Sequence, residues 1–237
     1  MMLQIEEIHT YYGESHILQG VSLEIEKGEM VCLVGRNGAG KTTTLKSIMG
    51  LAPPRSGTIT FLGDGISGLP PHIICQKGIS FIPEERRIIQ GLTVYENLRL
   101  AMLKNKEKSK RSAGKVLDYA METFPRLKER WKQEGTSLSG GEQQMLAIAR
   151  GLVQEPVLML VDEPTEGLSP LLVETIAEIL RKIQNDGVTV LLVEQNVEMA
   201  LEISAQAYVI DEGVIQYKGL SQDILRKEEV QKKYLAI

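Results

Sequence analysis

The sequence predicts an α/β fold in which strands and helices alternate around a glycine-rich loop, with an antiparallel β part and an inserted α-helical part. Three observations carry this expectation. Short apolar runs at Met30 to Val34 and Val157 to Val161, and a third at Val188 to Val193 broken only by Thr189, read as buried strands. A glycine-rich loop, Gly35 to Thr43, leads from the first of these runs into a helix-compatible stretch, Thr44 to Met49. Residues from about 93 to 134 change character, with Leu, Ala, Lys, Glu and Met at helical spacing and few strand formers. The chain has 237 residues, enough for a sizeable core, and reads as one domain over 1–237 with a helical subdomain inserted at about 93–134.

Taken in order, Leu3 to His9 alternates apolar and polar residues as a half-buried strand does, and Tyr11-Tyr12-Gly13 follows as an aromatic turn. Val21, Leu23 and Ile25 alternate again, and Lys27-Gly28-Glu29 turns the chain into the first apolar run. Gly57 to Gly63 is a strand bounded by glycines. The first 65 or so residues therefore read as several strands, some antiparallel, around one helix. Pro70-Pro71 opens a short helix, a place where proline is tolerated, and Gly78 to Pro83 holds a short buried strand. The basic run Lys104 to Arg111 has no interleaved aromatics and reads as a solvated face. Further on, Leu172, Ile176, Ile179 and Ile183 share one helical face. Ala207 to Ile210 is a further buried strand, and Glu212-Gly213 turns into Val214 to Lys218 as a hairpin. Ser221 is placed to cap a last short helix.

Bulk properties narrow the function classes. A net charge of −4 provides no global basic field, so nucleic acid is not an expected partner. Two cysteines, Cys32 and Cys75, make no disulfide framework and suit a reducing compartment. There is no basic segment followed by an apolar one at the start, and no apolar run long enough to cross a bilayer. The expectation is a cytosolic chain, or one held on a membrane's cytosolic face by a partner.

Gly35, Arg36, Asn37, Gly38, Ala39, Gly40, Lys41, Thr42 and Thr43 fit G-x-x-x-x-G-K-[ST] between a strand and a helix. Glycines let the backbone curl so that several N–H groups converge on phosphate oxygens, at the positive end of the helix that follows. Lys41 then reaches the β- and γ-phosphates and the Thr42 hydroxyl ligates Mg²⁺. The pattern points to a bound nucleoside triphosphate. Asp162 and Glu163 end a buried run, at the edge of an α/β sheet where ligands sit. There Asp162 holds Mg²⁺ and Glu163 is placed to deprotonate an attacking water. In Leu138 to Gln144 (LSGGEQQ), Ser139 and Glu142 form a capping box, which leaves Gly140 and Gly141 unexplained. Bare N–H groups at a helix start are an anion site, here one that serves another subunit's nucleotide.

These three motifs, in this order and spacing, resemble the ATP-binding-cassette (ABC) ATPase domain over nearly the whole chain. The resemblance implies a P-loop NTPase (RecA-like) core, ATP and Mg²⁺ as ligands, and two cassettes paired head to tail. Each nucleotide would lie between one P-loop and the partner's Ser139, Gly140 and Gly141. It also implies an aromatic that stacks on adenine, with Tyr12 the best match and Tyr11 the alternative. Three positions depart from the family pattern. Glu84 stands where a Gln is usual, with a tendency to raise one carboxylate's pKa unless Mg²⁺ or Arg86 and Arg87 offset it. Ser169 replaces an Asp, although Ser169-Pro170 still makes an N-cap and first-turn pair. Gln195 replaces a switch His; its amide can donate to the γ-phosphate but carries no charge, so base duty falls on Glu163 and positioning on Gln195.

The same departures are similar to one subfamily, the shorter of two ATPase subunits in prokaryotic branched-chain amino-acid importers. That resemblance implies a paralogous second cassette or a homodimer, transmembrane permease subunits, and a peripheral site on the cytoplasmic face of the inner membrane. Rival readings are the equivalent subunit of a urea or amide importer, a soluble ABC ATPase outside transport, and a regulatory module that hardly hydrolyses.

Overall fold

In the computed structural model of the chain, residues 1–103 and 112–226 are described, and the basic run at 104–111 lies outside them. In chain order the first elements are β1 (Leu3–Tyr12), β2 (Ser15–Ile25), β3 (Met30–Val34), α1 (Lys41–Ile48), β4 (Ser56–Phe61), β5 (Asp64–Gly65), α2 (Pro71–Gln76) and β6 (Ile79–Ile82). Helices α3 (Val94–Met102), α4 (Ala113–Thr123), α5 (Pro125–Glu129) and α6 (Gly140–Leu152) follow, the last after a 3-10 turn at Gly135–Ser137. The chain then returns to alternation with β7 (Leu158–Asp162), α7 (Pro170–Asn185), β8 (Thr189–Glu194), α8 (Val197–Ile203), β9 (Gln206–Asp211), β10 (Val214–Leu220) and α9 (Ser221–Arg226).

Two sheets organise these elements. The first is antiparallel, in the order β2-β1-β4-β5. The second runs β10-β9-β3-β8-β7-β6, parallel from β9 to β6, with β10 antiparallel at its edge. Every residue of β3, β7 and β8 is buried, the polar Asp162, Thr189 and Glu194 at the strand ends included, as expected of strands covered on both faces. Their side chains alternate between two cores. Met30, Cys32, Val34, Met159, Val161, Val190 and Leu192 face a core built with α3 to α9. Val31, Leu33, Leu158, Leu160, Leu191 and Val193 face a core shared with the antiparallel sheet, α1 and α2. A buried Tyr208 ties the two sheets together, its hydroxyl accepting from the Glu24 N–H at 3.0 Å and donating to the Glu24 carbonyl at 3.2 Å.

Register decides where the chemistry collects. Val34 pairs with Glu194, and Asp162 with Val193, so the ends of β3, β7 and β8 share one edge of the sheet. The loops leaving them carry Gly35, Glu163 and Gln195.

Three local expectations are corrected. β1 does not stop at His9: Tyr11 and Tyr12 continue it, paired with His16 and Ser15, and the turn is at Gly13. Irregular pairing between Ile5 and His9, with Glu7 at φ 47, breaks the alternation that would have shown the strand's length. Ser221 is the first residue of α9, and its buried hydroxyl makes no bond to the helix backbone among the described residues, so it does not cap the helix. Ser169 and Pro170 do start α7, but the Ser169 side chain makes no capping bond among the described residues. The α3 and α6 starts, by contrast, are complete capping boxes, Thr93 with Glu96 and Ser139 with Glu142.

Candidate nucleotide-binding site

The loop after β3 has room for nothing larger than glycine at two points. A Cβ on Gly35 would lie 2.1 Å from the Ile210 carbonyl oxygen, and Gly40, at φ 110, enters α1 from a left-handed conformation. That turn aims the α1 N-terminus into a cleft of about 390 Å³. Tyr12, Ile17, Asn37, Gly38, Gly40, Lys41, Thr42, Thr43, Glu84, Glu163 and Glu166 line it. Arg36 contributes its carbonyl to the Lys41 ammonium, and the Ala39 carbonyl accepts the Gly213 N–H at 2.9 Å, which anchors the loop to the β9–β10 turn.

Lys41 is 4% exposed and Glu163 10%, and their charges meet at 3.1 Å. The ammonium also donates to the Gly35 carbonyl at 3.0 Å and the Arg36 carbonyl at 3.2 Å. Each partner is an oxygen that a phosphate oxygen can replace. Thr42 donates its hydroxyl to Asp162 Oδ1 at 2.9 Å. Burial is the main influence on Asp162 and pushes its carboxyl up to about 6, against the Thr42 hydrogen bond that lowers it. Two hard oxygens on a buried carboxyl of raised pKa suit a divalent cation that takes most of its shell from phosphates and water. No group of three or more His, Cys, Asp or Glu able to hold a metal occurs among the described residues.

Glu163 has a backbone φ of 43, and its N–H donates to the Val193 carbonyl at 2.8 Å. A non-glycine residue holds this left-handed conformation only where its surroundings impose it. A second cleft, about 530 Å³, shares Glu84, Glu163 and Glu166 with the first and reaches Arg86, Arg87, Gln143 and Gln144. Of the pair Glu84 and Glu163, for which one raised carboxylate is expected, Glu84 has its carboxyl pushed up to about 7. The main cause is a hydrogen bond with Glu166, followed by burial, with Glu163 a lesser influence. The nearby arginines have other partners. Arg86 donates to Gln144 Oε1 at 3.1 Å, and Arg87 pairs with Glu85 at 3.4 Å.

The two candidate tyrosines differ in what they touch. The Tyr11 ring stacks on His16, centroids 4.1 Å apart, and Arg55 lies over the ring at 4.2 Å. Tyr12 is 47% exposed and lines the cleft. Ser139, Gly140 and Gly141 start α6 and do not line the P-loop cleft of their own chain. Gly141 has a packing role that its sequence neighbours do not display: a Cβ there would lie 2.6 Å from Leu172 Cδ1. Gly140 is exposed, and a Cβ there would lie 3.1 Å from the Arg86 guanidinium. Gln195 follows β8 at the same sheet edge, exposed to solvent and outside the residues that line the cleft.

Sequence reasoning gave no role to Glu166 or Glu194. Glu166 lies in a loop where a carboxylate is ordinary, so nothing marked it. Glu194 did carry a signal: a carboxylate closing an otherwise apolar buried strand must be hydrogen-bonded.

The family model for ABC transporters matches residues 18–166. The chain is 43% identical over 235 residues to the high-affinity branched-chain amino acid transport ATP-binding protein BraG of Pseudomonas aeruginosa, covering 99% of each chain. It is 40% identical over 237 residues to the probable branched-chain amino acid transport ATP-binding protein LivF of Archaeoglobus fulgidus, covering 100% of this chain and 99% of that one. Among solved structures it is similar to an ATP-binding subunit of an ABC transporter, with a TM-score of 0.84, 29% identity, and coverage of 100% and 97%. It is also similar to a dimeric ATP-binding cassette in a post-hydrolysis state bound to ADP and Pi, with a TM-score of 0.82, 26% identity, and coverage of 93% and 99%. No helix among the described residues is long and apolar enough to cross a membrane. The sheet order, the P-loop geometry and the full-length likeness agree, and the chain belongs to the ABC transporter family.

Proposed function

We propose that this chain is the ATP-hydrolysing subunit of an importer for branched-chain amino acids, peripheral on the cytoplasmic face of the inner membrane. The observation that supports the solute class is the identity of 43% and 40% to two branched-chain amino acid transport ATP-binding proteins over 99% or more of this chain. On this reading Lys41 exchanges its carbonyl and carboxylate partners for the β- and γ-phosphates, while the N–H groups from Asn37 to Thr43 cradle them. Thr42 and Asp162 would hold Mg²⁺, which would supply charge neutralisation at the phosphates. Tyr12 stacks on adenine. Glu163, its carboxylate beside the Lys41 ammonium, accepts the proton of the attacking water. Gln195 orients the γ-phosphate through its amide, and Glu84 contacts the nucleotide from the loop after β6.

A second cassette, a paralogue or another copy, completes each site with Ser139, Gly140 and Gly141. ATP favours the closed pair and ADP the open one, and that difference in affinity moves the permease subunits. We place the permease contact in the cleft between Glu84 and the helical part. The test is reconstitution of the chain with its permease and second cassette in vesicles. ATP-dependent leucine uptake that is lost in Glu163→Gln supports the reading. Uptake of urea or short amides instead of leucine would assign the chain to that importer class, and hydrolysis coupled to no solute would overturn a transport role.

A further inference from the structure

Glu194, the last residue of β8, is 1% exposed, and its two carboxylate oxygens serve two different loops. Oε1 accepts the Thr165 backbone N–H at 2.9 Å and the Thr165 hydroxyl at 2.7 Å. Oε2 accepts the backbone N–H groups of Gln195 at 3.0 Å and Asn196 at 3.1 Å. Thr165 belongs to the loop that leaves β7 with Glu163; Gln195 and Asn196 begin the loop that leaves β8. The second of these is fixed further on, where the Asn196 side chain accepts the Met199 N–H at 3.2 Å and caps α8.

Three of the four partners are backbone N–H groups, which can only donate, and the fourth is a hydroxyl placed to donate, a set that matches a carboxylate. Burial works the other way and raises the pKa above the ordinary carboxylate value. An apolar residue at this strand end would avoid that desolvation cost. What the carboxylate provides that Val or Ile cannot is a rigid bridge between the two loops. Glu163 needs such support, since its φ of 43 is held by the surrounding structure and its N–H is bound to Val193, the neighbour of Glu194.

We propose that Glu194 is a positioning residue for ATP hydrolysis, fixing the Glu163–Thr165 segment and the Gln195–Asn196 segment in one register. The general base and the γ-phosphate donor then face the same reacting phosphate. This rests on the reading of Glu163 as base and Gln195 as donor.

Two variants test it. Glu194→Gln keeps the shape but presents an NH₂ group to one of the two donor pairs. Thr165→Val keeps the shape and the backbone bond and removes only the hydroxyl bond. The expected result is a kcat lowered roughly ten- to hundredfold in Glu194→Gln, with the Mg-ATP dissociation constant changed by less than about threefold. Thr165→Val should lose less, and the double variant should be no worse than Glu194→Gln alone, because both break one bridge. Parental kcat in both single variants overturns the proposal, as does a parallel loss of kcat, affinity and folded fraction. If Glu194→Gln does not fold, Thr165→Val decides by the same criteria. Glu163→Gln run alongside separates the two levels. Turnover kept there overturns the underlying reading; turnover lost there but kept in the other variants overturns the positioning role alone.

Discussion

Thr42 and Asp162 meet at 2.9 Å, which joins the first turn of α1 to the end of β7 beneath the phosphate-binding loop. Burial, which this contact offsets only in part, makes Asp162 a stability liability in the nucleotide-free protein. Its carboxyl titrates at about 6 instead of the ordinary 3.8, chiefly because it is buried. Below 3.8 the acid is protonated whether the chain is folded or unfolded. Between 3.8 and 6 the unfolded chain releases the proton and the folded one retains it, so stability falls as pH rises through this window. Above it the penalty is constant.

Asp162→Asn should therefore stabilise the nucleotide-free chain at neutral pH by roughly 1–3 kcal/mol, since its Oδ1 still accepts from Thr42. The gain should vanish in acid, as calorimetric melts over a pH series will show. The same variant should lose the tightening of ATP binding by Mg²⁺.

Tyr12→Ala should weaken ATP binding by about tenfold, a loss of the size of one aromatic–base stack. Tyr12→Phe should retain affinity, because the ring does the work. Tyr11→Ala should leave affinity in place and lower the melting temperature, since its ring is packed between His16 and Arg55. Fluorescent-nucleotide titrations and thermal melts separate the two.

The paired glycines of α6 should respond differently to alanine. Gly141→Ala drives a Cβ into Leu172 and should destabilise by about 1–3 kcal/mol despite better helix propensity. Gly140→Ala meets only the end of the flexible Arg86 side chain and should keep the fold. If the α6 start binds a partner's nucleotide, Gly140→Ala should lower turnover without changing ATP binding by the isolated chain.

Glu84 should titrate near 7 in carboxyl-carbon NMR spectra of the nucleotide-free protein. Glu166→Gln removes the main cause of the rise, and the Glu84 midpoint should then move towards 4.5. A midpoint unchanged by Glu166→Gln would mean that burial alone raises it.

What could be read from the sequence was what local chemistry dictates. The apolar runs of β3, β7 and β8, the glycines before Lys41 and the carboxylates after Val161 each announce their place without reference to the rest of the chain. Their convergence on one sheet edge follows from parallel pairing. Features that depend on partners remote in sequence were hidden. The irregular pairing around Glu7 concealed the length of β1, and with it the separate positions of Tyr11 and Tyr12. Gly141 is small because Leu172, thirty-one positions on, lies against it. Glu84 is raised mainly by Glu166 and less by Glu163, a preference set by how two loops meet. Glu194 looked like the neighbour of a missing histidine, and its four donors come from loops that only the folded sheet brings together.

The most direct test of the account is ATP hydrolysis by the purified chain with Mg²⁺, alone and with its partner cassette, beside Glu163→Gln. The account predicts phosphate release in at least one of these settings, abolished in Glu163→Gln while that variant still binds ATP. Undiminished turnover in Glu163→Gln, or ATP binding with no turnover in either setting, would contradict it.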